Sequence, residues 1–468
     1  MLNNRILYLC LLMMITQACK KTVDLKPTDR INEDIAFQTV DDLELGLYGA
    51  YASWDGENTM YINALLSDET KISDENRGQG QFEFKWQYTA GPNLNSANSA
   101  WVSFYVMIGR INRELNVFDN IVPANNAEAT RKERIRGELL ALRAIAHFEM
   151  LQRYAGAYDP AGLGIPYTTT SDLNARPARA TIADVLKGIE DDFTAAEATP
   201  IPNAPEVVGS AGVIRLSKAA IAGYRARIAL YKKDWENAIA YAADCINLSG
   251  KSLADPAVFP LIWTDESEAE VLLKLRRSGG SVGTMWQDSN GDVFFEPSDK
   301  LKNLFDRDND VRFESYFLID HGADDTALIY KFYESARGAK IVDVKLMRVA
   351  EMYLIMAEAY AEDDDLVNAA AQYNALRGKR IDGYIDETFA NKQEAINAIM
   401  EERARELCFE GFRFFDLKRR KLPVERLVSD VQSTTWQTLS ASDYHFLLPI
   451  PTQSILSNPN MEQNPDYN

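Results

Sequence analysis

Apolar residues recur every three or four positions between Leu346 and Tyr360, the spacing of an amphipathic helix. An acidic turn follows at 363–365, and Ala369 opens a second helical segment that ends in basic residues up to Arg380. Basic side chains suit a helix C-terminus. The stretch 346–380 therefore predicts a helix–turn–helix unit of about 34 residues, the length of a tetratricopeptide repeat. One such unit cannot bury its apolar face alone, so we expect neighbouring units.

A second stretch, 216–248, has the same register. Ala226 and Ala238 stand twelve positions apart, as Ala357 and Ala369 do. Small residues let two helices approach closely, so the matching spacing indicates repeats. Two unrelated amphipathic hairpins stay open as an alternative, because small residues are common on packed helices.

The same periodicity predicts further helices over 34–54, 100–118, 131–153, 181–198 and 392–415. The helices 131–153 and 181–198 are interpreted as one more repeat, split by an insertion. We expect long loops over 55–99 and 249–345, with a short strand at 271–275. Gly, Asn and Gln are frequent at 61–99, and 278–298 is rich in Gly, Ser and Asp. The predicted fold class is mainly α, with helical hairpin repeats, long irregular loops and a few short strands.

The first eighteen residues are not expected to be part of the fold. Arg5 precedes an apolar run, Ile6–Ile15, that is too short to span a bilayer. The run is followed by Thr16-Gln17-Ala18-Cys19, which resembles a bacterial lipobox and predicts lipidation of Cys19. An ordinary secretory signal with an incidental cysteine is the alternative. We expect a signal peptide over 1–18, an extended lipid-attached tether over 19–33, and one domain over 34–468.

Composition and charge narrow the class of function. The chain has 468 residues, 46% of them apolar and 25% charged, as is ordinary for a globular protein. Its net charge is −19, which makes a nucleic-acid backbone an improbable partner. Outside the N-terminal segment the cysteines are Cys245 and Cys408. Both lie in predicted helices, and we expect small core residues rather than a disulfide.

No motif for catalysis or metal binding is complete. The three histidines lie in unrelated contexts without zinc-ligand spacing, so no metal or cofactor is expected. Gly279–Gly283 matches G-x-S-x-G around Ser281, but a nucleophile elbow needs a helix after it, and a polar loop follows. Asp306–Asp310 imitates the start of a calcium loop and lacks the required Gly and Glu. A bound cation and a pair of catalytic carboxylates both stay open.

Aromatic residues within the polar loops are the remaining candidates for function. Four of them are predicted to contact a ligand, namely Trp86, Tyr88, Trp286 and Phe294. Sugars present flat C–H faces that stack on aromatic rings, while side-chain amides and carboxylates bind their hydroxyls. The alternative is that each ring is an anchor that fixes its loop to the core.

The chain resembles the SusD/RagB-like outer-membrane nutrient-binding lipoproteins of Bacteroidetes. The resemblance rests on several segments in order, of which the most specific are ERARELCFEGFRFFDLKRR at 402–420 and PIPTQSILSNPNMEQNPDY at 449–467. The others are the Cys19 motif, AFQTVDDLELGLYGAYASW at 36–54, RGELLALRAIAHFEMLQRYAG at 136–156, the 216–248 hairpin, 306–312 and RVAEMYLIMAEAY at 348–360.

The resemblance implies a scaffold of about eight tetratricopeptide-like helices that binds an oligosaccharide at the cell surface without hydrolysing it. It also implies a partner, a SusC-type TonB-dependent outer-membrane transporter. Lys20 and Lys21 follow Cys19 where acidic residues are associated with surface export, so display on the outer leaflet is an expectation from the family alone. The alternatives are a structural adaptor without a small ligand, a binder of peptide or another nutrient, and a lipid-anchored hydrolase.

Overall fold

The computed structural model describes residues 36–91, 96–172, 174–279, 282–321 and 326–467. Its longer helices are α1 (Val40–Ala52), α2 (Gly56–Leu66), α4 (Ser96–Val117), α5 (Asn126–Tyr154), α6 (Ile182–Glu197), α7 (Lys218–Lys232), α8 (Trp235–Ser249), α12 (Val349–Glu362), α13 (Leu366–Arg377), α14 (Lys392–Glu406) and α15 (Arg413–Arg420). Short helices are α3 (Gln81–Phe84), α9 (Phe259–Trp263), α10 (Asp299–Lys302), α11 (Val311–Tyr316) and α16 (Thr452–Ser457). The mainly α fold class is confirmed.

The predicted repeat register is confirmed. α7 packs on α8 and α12 packs on α13, while α8 also packs on α12, so the two hairpins stack side by side. Ala226, Ala238, Ala357 and Ala369 are all fully buried at these contacts. Gly223 on α7 leaves room for Met347, because a Cβ there would lie 2.3 Å from Sδ of that residue.

The helices before these hairpins extend the stack. α5 packs against α4, α1 and α6, and α6 follows an insertion as the sequence predicts. Thr181 is the N-cap of α6, and its side chain accepts a hydrogen bond from the Asp184 backbone N–H. Thr39 and Asp42 form a reciprocal capping box at α1. On α1, Leu43, Leu47 and Tyr51 are buried, whereas Tyr48 is 39% exposed.

Two expectations from the sequence are wrong. The stretch 55–99, expected to be a loop, begins with α2, most of whose residues are buried. The single helix expected over 392–415 is two helices, because α14 ends at Glu406 and α15 begins at Arg413. Phe409 (φ 62°) and Gly411 (φ 91°) turn the chain between them in a backbone conformation that a helix cannot contain.

Short strands connect the loop-rich stretch 249–345 to other parts of the chain, and one further pair lies near the C-terminus. The strands are β1 (Thr70–Ile72), β2 (Val271–Leu275), β3 (Phe295–Pro297), β4 (Phe317–His321), β5 (Thr326–Ile329), β6 (Val344–Arg348), β7 (Val424–Glu425) and β8 (Thr438–Leu439). They form antiparallel pairs, β1 with β3, β2 with β6, β4 with β5 and β7 with β8. The short strand predicted at 271–275 is therefore confirmed.

Several expectations fall on residues outside the described part of the chain. These are the signal peptide 1–18, Cys19, the tether 19–33 and Ser281. Around Ser281, β2 pairs antiparallel with β6, and a single turn at Val282–Thr284 follows where an elbow needs a helix. Cys245 and Cys408 are free and buried, as predicted. Along the described chain, no helix has the length and apolar character that crossing a bilayer requires.

Candidate functional site

A buried network of charges joins the repeat stack to the 249–345 segment. Glu406, on α14, accepts hydrogen bonds from three guanidinium groups: Arg312 at 3.0 Å, Arg348 at 2.8 Å and Arg380 at 3.0 Å. Glu402, one turn earlier, binds Nη1 of Arg312. All five side chains are at most 1% exposed. Charge-assisted bonds of this kind fix the relative positions of α11, β6, α14 and the loop after α13.

The network keeps its carboxylates ionised. Burial raises the pKa of Glu402, but the guanidinium groups of Arg312, Arg405 and Arg377 outweigh it and lower the pKa to about 2. Burial acts on Glu406 in the same way, and its arginine partners likewise lower its pKa. The pKa of Arg380 is raised by Glu270 and Glu406 against the effect of burial. The residues therefore stay charged at neutral pH, and their charges compensate one another.

Beside this network lies an open cleft of about 760 Å³. Two of the segments that line it, 307–315 and 378–386, are joined by an isolated antiparallel bridge between Asp310 and Ile381. The backbone N–H of Val311 donates to the carbonyl of Arg380 at 2.9 Å, and that of Asp382 donates to the carbonyl of Asn309 at 2.9 Å. A volume between about 300 and 1,000 Å³ is typical of small-ligand sites.

Two half-buried tyrosines line the cleft from different segments, Tyr330 and Tyr384. The ring of Tyr330 stacks on Tyr333 with centroids 5.7 Å apart and planes at 27°. The hydroxyl of Tyr384 donates to Oδ1 of Asn374 at 2.7 Å, and the Arg377 guanidinium lies 5.1 Å from its ring centroid. Both rings are held in place by neighbours, so little side-chain freedom would be lost when a ligand contacts them.

Burial raises the pKa of both tyrosines, so both hydroxyls are neutral near pH 7. Glu334 and Glu387 add to this effect at Tyr330 and Tyr384 respectively. A neutral phenol presents an apolar ring together with one hydrogen-bonding group. With side chains of Asn309, Ser315 and several carboxylates nearby, the cleft offers ring faces and hydrogen-bond acceptors in one place.

The ring residues predicted from the sequence lie elsewhere. Trp86 is 6% exposed and Tyr88 is 2% exposed. The indole N–H of Trp86 donates to the carbonyl of Leu66 at 3.0 Å, and the Arg426 guanidinium covers its ring at 4.1 Å. The hydroxyl of Tyr88 donates to the carbonyl of His445. Both rings anchor their loop to the core, as the alternative interpretation has it.

Trp286 and Phe294 flank a different loop. Trp286 is 1% exposed, with its ring centroid 5.8 Å from that of Tyr61 and 5.9 Å from that of Phe409. Phe294 is half-buried, and its carbonyl accepts from the backbone N–H of Ser73 at 3.2 Å. The role of the four rings in ligand binding stays a prediction, and none of the four lines the cleft.

The sequence pattern does not reveal the cleft residues, for identifiable reasons. Tyr384 lies in the turn IDGYID, a polar stretch with an aromatic residue, the same signal that favours Trp86. It directly follows a predicted repeat, however, where a plain connection is expected. Tyr330 lies within the loop-rich stretch 249–345. Its neighbours in ALIYKFY are mostly apolar, so the sequence does not distinguish it from a core residue. The two tyrosines come together only where their segments line the same cleft.

The acidic turn at Asp306–Asp310 does not gather metal ligands. Asp310 binds Arg312 through both carboxylate oxygens, at 2.9 and 2.7 Å, so its charge is already compensated. Asp306 accepts from Asn309, which closes the turn. In the described ranges no group of three or more His, Cys, Asp or Glu is arranged to hold a metal ion.

Comparisons with known proteins agree in one family. Residues 309–467 match the model described as "SusD family", and residues 23–230 match the model "Starch-binding associating with outer membrane". The chain is 22% identical to SusD-like protein P38 of Formosa agariphila, over 99% of both chains.

Solved structures show the same fold. A SusD superfamily protein from Bacteroides thetaiotaomicron superposes with a TM-score of 0.80 at 23% identity, covering 91% of this chain and 100% of that one. A SusD-like carbohydrate binding protein from Bacteroides vulgatus gives 0.74 at 20% identity, covering 91% and 98%. At these identities the likeness establishes the architecture of the helical repeats and not the ligand.

Proposed function

The chain belongs to the SusD/RagB-like family, and from this premise we propose that it binds an oligosaccharide without catalysis and delivers it to an outer-membrane transporter. Carbohydrate binding is supported by the starch-binding description of the matching family model and by the related carbohydrate binding protein. The observation that carries the proposal for this chain is the 760 Å³ cleft lined by Tyr330 and Tyr384.

The cleft has the features that sugar recognition needs. Each pyranose has an apolar face that packs on an aromatic ring and a rim of hydroxyls that needs hydrogen-bond partners. Tyr330 and Tyr384 supply ring surface, and Asn309, Glu314 and Asp386 supply polar atoms around it. The cleft is open rather than enclosed, so an oligosaccharide longer than the cleft can extend out of it.

Calorimetric titration against plant, host and microbial oligosaccharides tests this proposal. The paired variants Tyr330→Ala and Tyr384→Ala should each weaken binding about tenfold, which corresponds to roughly 1.4 kcal/mol per ring. Tyr48→Ala is the matched control, because Tyr48 is a partly exposed tyrosine on α1, outside the cleft. Unchanged affinity in both cleft variants would refute this location, and an absence of any glycan binding would favour the structural adaptor.

The same purified protein and oligosaccharides also test whether the protein lacks hydrolytic activity. A binding oligosaccharide incubated with the purified protein should be recovered intact by chromatography. The cleft carboxylates Glu314, Glu334 and Asp386 are the ones to replace by amides if cleavage is observed. Cleavage that these amides abolish would make the protein a hydrolase.

The proposed transport role needs a partner and an anchor. We expect a SusC-type TonB-dependent transporter to co-purify with the tagged protein from outer membranes. We also expect acylation at Cys19 to hold the protein at the outer membrane. Replacement of Cys19 by Ser should release the protein from the membrane fraction, and its retention there would contradict the lipid anchor. Absence of a co-purifying transporter would contradict the delivery step.

A further inference from the structure

The side chains around the cleft carry an uneven charge. Those that are exposed comprise five carboxylates and one guanidinium: Arg307, Asp308, Glu314, Glu334, Asp382 and Asp386. Five negative charges against one positive charge leave a net charge of −4 at the ligand surface. Asp308 and Glu314 come from one of the two bridged segments and Asp382 and Asp386 from the other, so both carry negative charge into the lining.

The positive charges beneath the cleft do not compensate this charge. Arg380 reaches the cleft lining, but its guanidinium is bound to Glu270 at 2.7 Å and to Glu406 at 3.0 Å. Arg307 lies over the ring of Phe313, with 5.3 Å to its centroid. Within the described ranges, no Lys or Arg nitrogen lies within 4.0 Å of the carboxylates of Asp308, Glu314 or Asp386. Their charges are therefore directed at solvent or at a ligand.

From this geometry we infer that the cleft selects by charge, accepting uncharged and amine-bearing oligosaccharides and rejecting those with carboxylate or sulfate groups. The inference rests on the proposed function, since it concerns the ligand class of the same cleft. Carboxylate oxygens accept hydrogen bonds from sugar hydroxyls and from an ammonium group, but they repel a uronate or a sulfate ester. At a separation of about 4 Å in water, one such pair of like charges lowers affinity about fivefold.

Three oligosaccharide pools test the inference, whichever oligosaccharide is the natural ligand. One contains neutral oligomers, one contains uronic-acid and sulfated oligomers, and one contains glucosamine oligomers, all of matched length. The immobilised full-length protein captures oligomers at low salt, and mass spectrometry identifies them. We expect capture from the neutral or the glucosamine pool and depletion of the anionic pool. Preferential capture of anionic oligomers that Tyr330→Ala abolishes would overturn the inference and leave glycan binding intact.

The double variant Glu314→Gln, Asp386→Asn tests the cause. It should raise the ratio of the affinity for anionic oligomers to the affinity for neutral oligomers about fivefold or more, because the amides lose the charge that repels a uronate or a sulfate. Asp41→Asn, at an exposed position on α1, is the matched control. Raising the salt to about 0.5 M should reduce the discrimination in the wild-type protein, because screening shortens the range of the repulsion. An unchanged preference in the double variant would refute the electrostatic cause, and no capture from any pool would refute the proposed function and the inference together.

Discussion

Replacing Glu406 by Gln tests the role of the buried charge network. The substitution preserves the shape of the side chain and removes the charge on which Arg312, Arg348 and Arg380 converge. All four groups are buried, so the guanidinium groups cannot regain full hydration. Breaking a buried ion pair from one side costs about 3–5 kcal/mol, because it leaves an uncompensated charge in the interior. We therefore expect Glu406→Gln to lower the free energy of unfolding by about that amount.

Urea unfolding followed by far-ultraviolet circular dichroism measures the change, since stability falls linearly with denaturant. Domains are stable by only about 5–15 kcal/mol, so the expected loss is large. Glu401→Gln is the control on the same helix, because Glu401 is 61% exposed and 3.7 Å from its partner Arg405. The control should change stability by less than about 0.5 kcal/mol. A loss below about 1 kcal/mol in Glu406→Gln would show that the network does not hold the 249–345 segment to the stack.

Three further sets of substitutions test a buried carboxyl group, a close packing contact and two buried indole rings. Burial raises the pKa of Glu114 to about 9, so stability should fall between about pH 5 and pH 9, where only the unfolded chain loses this proton. Glu114→Gln should flatten that fall by up to about 1.4 kcal/mol per pH unit in thermal scans, and an unchanged slope would contradict the raised pKa. Gly223→Val should cost about 2 kcal/mol by overpacking against Met347, and adding Met347→Ala should restore part of it in urea unfolding. Trp86→Ala and Trp286→Ala should each cost about 3–5 kcal/mol through lost packing, whereas intact stability with lost glycan affinity would favour the stacking role predicted from the sequence.

The repeat scaffold could be predicted because its signal is local. Ala357 and Ala369 stand at fixed positions of a helical hairpin, and the same spacing recurs at Ala226 and Ala238. Small residues at helix contacts are needed wherever two helices approach closely, so the pattern is visible even when the packing partners are not. The capping residue Thr181 is recognisable for the same reason, since a cap acts on its own helix.

The helix α2 could not be predicted because it is not amphipathic. It is buried on nearly all sides, and its polar residues find partners inside the protein. Nδ2 of Asn58 donates to Oγ of Ser99 at 3.1 Å, and Nδ2 of Asn63 donates to the carbonyl of Thr59 at 3.0 Å. A helix of this kind shows neither a polar face nor a continuous apolar run, so periodicity does not reveal it.

The cleft could not be predicted from the sequence because it forms between segments that only the tertiary fold brings together. Asp310 and Ile381 are far apart in the chain, and their pairing follows from the burial of Arg312 and Arg380 around Glu406. The motif 402–420 supplies many charges, but nothing in its order indicates which arginines converge on which glutamate. Whether each aromatic residue in a loop is buried or exposed depends in the same way on which segments pack over it.

A crystal structure of the protein with an oligosaccharide selected from the neutral or glucosamine pool would locate the bound ligand. We expect electron density for an intact oligosaccharide in the 760 Å³ cleft, with sugar rings against Tyr330 and Tyr384 and hydroxyls or amines on Glu314 and Asp386. An oligosaccharide bound instead beside Phe294, with the cleft unchanged, would contradict this expectation.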